Sequence, residues 1–171
     1  YLSTYEFKKE KFKTISEYLH EIGYYTCADV VSKLTIPEQG LDELNIHDEL
    51  KDNLTIRHKD FLRRMKVKNE QGKKFFLYLQ YSNIHTGIME QVLKIYNNFS
   101  EEFFKNTKQN KKRYDLLFQN AEKYLEEVLE EITNLKLDKE SIILVMSDHG
   151  TSVGEKIGER AYGAFCYDYT L

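Results

Sequence analysis

The chain has 171 residues, 41% of them hydrophobic and 31% charged, enough for one domain with a buried core. A net charge of −3 gives no basic face for nucleic acid, and no apolar run approaches the roughly 18 residues of a membrane-spanning helix. Cys27 and Cys166 are too few and too far apart for a disulfide framework or a cysteine zinc site, and both are expected as buried free thiols.

In chain order, the first predicted element is a helix in KTISEYLHEIGYYTCADVV. Thr14 and Glu17 have capping-box spacing: the hydroxyl accepts from the backbone N–H of Glu17 and the carboxylate accepts from that of Thr14. Ile15, Leu19 and Ile22 recur on one face, and Gly23 suits the left-handed position that ends a helix. YYTCADVV, aromatic and β-branched, predicts a strand. Residues 33–72 hold the only proline, Pro37, and many charges, and predict short helices and loops. KKFFLYLQYS is apolar without alternation from Phe75 to Leu79 and predicts a central strand covered on both faces.

GIMEQVLKIYNNF spaces Ile88, Val92, Leu93, Tyr96 and Phe99 for an amphipathic helix. The Lys-rich stretch from Lys105 to Arg113 is expected to be a solvated connector rather than a phosphate-binding patch. A longer helix, about Arg113 to Leu135, sets Leu117, Ala121, Tyr124, Leu125, Val128 and Ile132 on one face. Glu122, Glu126, Glu127, Glu130 and Glu131 lie largely on the other. The turn KLDKE leads to a second buried strand, Ile142 to Met146. The alternation of elements predicts an α/β domain, a mostly parallel mixed sheet with helices on both faces, and no internal repeat or domain boundary.

In open α/β sheets, ligands bind beyond the carboxyl ends of the strands. FFLYLQYS runs into NIHTG with His85, and IILVMS runs into Asp148-His149. If the two strands are near neighbours, these three side chains converge on one rim. Carboxylate oxygen and imidazole nitrogen together suit zinc, manganese or iron(II), whereas calcium usually prefers oxygen alone. Asp and Gly also follow strands simply because they favour turns, but S-D-H-G arises by chance in such a chain only about once in a thousand. Asp148 and His149 are therefore read as metal ligands. His20, His47 and His58 stand in helical or charged surroundings and are expected to be structural or exposed.

KTISEYLHEIGYYT, FFLYLQYSNIHTG, YDLLFQNAEKYLEEVLEEITNLKLDKESIILVMSDHG and GEKIGERAYGAFCYDYTL resemble, in this order, successive blocks of the sulfatase-like branch of the alkaline phosphatase superfamily. The resemblance covers most of the chain except about residues 33–72. It implies a three-layer αβα sandwich and a parent enzyme that hydrolyses sulfate or phosphate esters, small-molecule or saccharide, at a divalent metal (calcium, zinc or manganese). Asp148 and His149 match that family's late metal-ligand pair. His85 matches a histidine that contacts the substrate or its leaving group, although Ile84 stands where the family usually has proline. Lys156 stands where many relatives have histidine, and it and the nearby Arg160 are candidates to contact an anionic ester oxygen.

The family's nucleophile is serine, threonine or a formylglycine made from the cysteine of C-x-[P/A]-x-R. Neither CADVV nor CYDYT supplies that context. The resemblance places the nucleophile and one or two aspartate ligands upstream of the T-I-S-E helix, and a further core strand beyond YDYTL. One partial catalytic domain over residues 1–171 is therefore expected, inactive alone and inclined to self-associate through unpaired strands. Two rival readings remain: a phospho- or phosphonoester transferase of the same superfamily, and a non-catalytic module on the same scaffold.

Overall fold

The computed structural model describes residues 11–97 and 100–155. These fall into two compact units, one within Tyr1–Tyr81 together with Glu130–Leu137, the other within Ser82–Leu129 and Asp138–Leu171.

In the first unit, helix α1 (Ile15–Glu21) starts at the expected capping box: Thr14 Oγ1 accepts from Glu17 N at 3.1 Å, and Glu17 Oε2 accepts from Thr14 N at 2.8 Å. Gly23, at φ +88°, turns the chain into strand β1 (Tyr25–Val30), whose last five residues are buried. The apolar face expected for α1 is not its packed face, since Ile15 and Ile22 are exposed and Ser16 is buried. The reason is polar. Ser16 Oγ donates to Gln39 O at 2.8 Å, and Gly40 passes so close that a Cβ there would lie 2.2 Å from Glu17 N.

Strand β2 (Glu43–Ile46) pairs parallel with one edge of β1, Cys27 opposite Glu43 and Val30 opposite Ile46. Helix α2 (Leu54–Glu70) begins at Asn53, whose side chain accepts from Ile56 N at 3.1 Å. Its buried residues, Leu54, His58, Phe61, Leu62 and Met65, have helical spacing. Phe61 and Met65 pack with Cys27 of β1. Strand β3 (Phe75–Leu79) then pairs parallel with the other edge of β1, giving the order β2-β1-β3.

This α/β unit corrects two expectations. Residues 33–72 contain a strand and a 17-residue helix rather than short helices and loops. The helix was hidden because a histidine occupies its buried stripe while Ile56 and Val67 break the pattern by lying exposed among the charges. β3, read as central, has a neighbour on one side only among the described residues, and Tyr78 is exposed there. The central position belongs to β1.

Among the described residues, the second unit is helical where it is regular. Helix α3 (Asn83–Ile88) continues through a π-turn, Met89–Leu93, into a 3₁₀ turn, Lys94–Tyr96. Ile88, Val92, Leu93 and Tyr96 are buried as expected, with Phe103 and Leu117, while Phe99 lies outside the described residues. Gly87 admits this packing, since a Cβ there would meet Leu117 Cδ2 at 2.3 Å. Helix α4 (Glu101–Lys105) precedes α5 (Thr107–Asn134), whose residues from Glu130 onward belong to the first unit, so the Lys-rich stretch is mostly helix rather than connector. Lys105 pairs with Glu101 and Lys111 with Asp115, one helical turn apart in each case. Leu117, Val128 and Ile132 are buried along α5, and Glu122, Glu126, Glu127 and Glu130 are exposed.

Ile142–Met146 is not a strand, and all five side chains are exposed. A strand needs a ladder partner, which an apolar run cannot supply by itself, and among the described residues these five have none. No helix is long and apolar enough to cross a membrane among the described residues.

Cys27 is buried as expected, and burial pushes its thiol pKa up to about 12. Because the thiolate is the reactive form, Cys27 should alkylate with iodoacetamide at pH 8 at least about 100-fold more slowly in the folded protein than in urea. Mass spectrometry of the Cys27 peptide checks this, and equal rates would contradict its burial.

Candidate functional site

Among the described residues, two clusters could carry chemistry, one in each unit. The first grows from an aspartate inside an otherwise apolar strand. Alternation along β1 puts Asp29 on the same face as Cys27, beneath α2. Its side chain is fully buried, as are those of His47, just after β2, and His58, in the second turn of α2. His47 Nδ1 and His58 Nε2 each lie 3.0 Å from Asp29 Oδ2. Arg57 Nε donates to both carboxylate oxygens at 3.0 Å, and Nη2 donates to Oδ1 at 2.8 Å. The far side of the guanidinium faces Asp52 at 3.7 Å.

Burial alone would raise the Asp29 carboxyl, but donation from His58, Arg57 and His47 outweighs it and holds the pKa down at about 2. The carboxylate thus stays charged and ties the carboxyl ends of β1 and β2 to α2. Ligand atoms of Asp29, His47 and His58 all lie within 4.8 Å of one another, making these three a candidate metal-ligand group. Sequence reading gave the histidines structural or exposed roles and passed over Asp29. The available signals were a charge in the middle of CADVV and a histidine at a buried position of an amphipathic helix.

The second cluster is the Asp148-His149 loop. Ser147 Oγ donates to His149 O at 2.6 Å, and His149 N donates to Asp148 Oδ1 at 3.0 Å. His149 Nδ1 is 2.7 Å from Gly150 O. A carbonyl only accepts, so Nδ1 carries the proton, and in the neutral ring Nε2 bears the lone pair. Nε2 is 3.7 Å from Asp148 Oδ2, and both side chains reach solvent. This donor set, an anionic oxygen beside an imidazole nitrogen, fits part of the coordination shell of a divalent ion.

The segment that follows is tied to α5. Thr107 Oγ1 donates to Gly154 O at 2.8 Å, and buried Asn110 Nδ2 donates to Val153 O at 3.2 Å. Glu155 Oε2 accepts from Ser152 Oγ at 2.9 Å and from Val153 N at 2.8 Å. His85 lies exposed on α3, beside the buried Gly87 and Ile88 that seat the helix. Lys156 and Arg160 lie outside the described residues.

The family model described as Sulfatase matches residues 1–168. No curated protein and no solved structure matches the chain.

Proposed function

The chain belongs to the sulfatase family, and on that premise we propose that it forms part of a metal-dependent hydrolase of sulfate esters, with phosphate esters the nearest alternative. The observation that carries the reading is the pairing of Asp148 Oδ2 with His149 Nε2 at 3.7 Å on an exposed loop, where an ion and an ester can reach both. Asp148 and His149 would hold a divalent ion, zinc, manganese or calcium. Bound there, the ion supplies charge stabilisation to the ester oxygens. The proton on Nδ1, held by Gly150 O, keeps the imidazole ring turned so that Nε2 is the ligating nitrogen.

His85 would give its proton to the leaving oxygen as the ester S–O or P–O bond breaks and an incoming oxygen nucleophile bonds to the sulfur or phosphorus, so that an alcohol departs rather than an alkoxide. Lys156 donates a charge-assisted hydrogen bond to a non-bridging ester oxygen. None of the residues assigned here is the nucleophile.

In the full-length protein, His85→Ala should lower kcat by about 100-fold on an alkyl or saccharide sulfate, the usual scale of a lost general acid, and far less on nitrophenyl sulfate, whose leaving group needs no proton. Lys156→Ala should mainly raise KM. Initial rates on nitrophenyl sulfate and nitrophenyl phosphate decide the substrate class at the same time. Faster turnover of the phosphate would move the reading to phosphoryl chemistry. An unchanged kcat on the alkyl sulfate in His85→Ala would remove that residue from the reaction.

A further inference from the structure

The Asp29 cluster has the composition, spacing and charge of a cation site. Its ligand atoms are two imidazole nitrogens and one carboxylate oxygen, contributed by β1, by the residue after β2 and by α2. Tetrahedral zinc, with bonds of about 2.0–2.1 Å, separates its ligand atoms by about 3.3 Å. The two nitrogens stand 3.0 Å from Asp29 Oδ2, and all three ligand atoms lie within 4.8 Å of one another, so they already gather round one point that an ion could occupy.

Charge points the same way. With neutral imidazoles, one guanidinium against the carboxylates of Asp29 and Asp52 leaves the cluster one negative charge in excess. Arg57 already holds the ligating carboxylate in place, as the outer partners of metal ligands do. Mixed nitrogen and oxygen donors favour zinc-class ions over calcium or magnesium.

We propose that Asp29, His47 and His58 bind a zinc-class dication, which replaces the two histidine contacts to Asp29 Oδ2. Each ring then carries its proton on the nitrogen opposite the metal. All three side chains are fully buried, so an ester cannot reach the ion, and its role is to fasten β1 and β2 to α2. The inference does not depend on the Asp148-His149 reading.

The test uses the protein carrying Asp148→Asn and His149→Ala together, exposed changes that remove the loop ligands. After chelator treatment and reloading, this variant should retain one equivalent of zinc through gel filtration. Cobalt(II) in its place should show tetrahedral d–d absorption, lost on adding His47→Gln or His58→Gln. Retention of no zinc, or a cobalt spectrum that neither histidine change alters, would overturn the proposal. If a histidine variant does not fold, zinc-edge X-ray absorption of the double loop variant decides. Two imidazole nitrogens around zinc support the site, and a shell without them removes it.

Discussion

Asp29→Ala is expected to destabilise the protein by about 3–5 kcal/mol, the scale of breaking a buried charge pair from one side. The substitution strips Arg57 of its bidentate partner and removes the oxygen faced by His47 and His58. An alanine methyl there leaves a void among buried polar groups. Arg57 is partly exposed and keeps Asp52 nearby, which sets the cost toward the lower end of the range. For a chain of this size, that corresponds to a fall in Tm of roughly 10 °C. The measurement is thermal unfolding with chelator present, so that lost hydrogen bonds and not lost metal are recorded. A Tm within 2–3 °C of wild type (about 1 kcal/mol) would show that the cluster holds little together.

The second large effect falls on activity. Asp148→Asn or His149→Ala should lower ester hydrolysis in the full-length protein by more than about 100-fold, beyond the 10–100-fold that loss of an outer partner costs. Stability should hardly change, within about 0.5 kcal/mol, because both side chains are exposed. The two clusters therefore respond oppositely: one change unfolds without touching the exposed loop, the other inactivates without unfolding. Kinetic assays and unfolding curves on the same two variants separate them.

Much of the fold was legible because its signals are local. Thr14 and Glu17 announce α1 through spacing alone, and Gly23 stands where a left-handed φ is needed. The apolar stripe of α5 and its opposing glutamates follow directly from helical periodicity. What failed depends on partners distant in sequence. α2 buries a histidine where a hydrophobe would have completed the pattern, and that histidine faces Asp29, 29 residues earlier. Ile142–Met146 has the composition of a buried strand, but no ladder forms on it among the described residues. The pairing of Asp148 with His149 is contiguous in sequence, so motif reading could find it; the Asp29 cluster is assembled by three elements, so it could not.

The most direct test of the assignment measures bound metal and turnover on the same preparations. Wild type, Asp148→Asn and His149→Ala are purified in parallel, loaded with zinc, manganese or calcium, and analysed for metal by elemental analysis and for hydrolysis of nitrophenyl sulfate and phosphate. If Asp148 and His149 are ligands of the catalytic ion, each variant loses about one equivalent of metal and its turnover together, because each loses one arm of the coordination shell. Full metal content and full turnover in both variants would contradict the assignment.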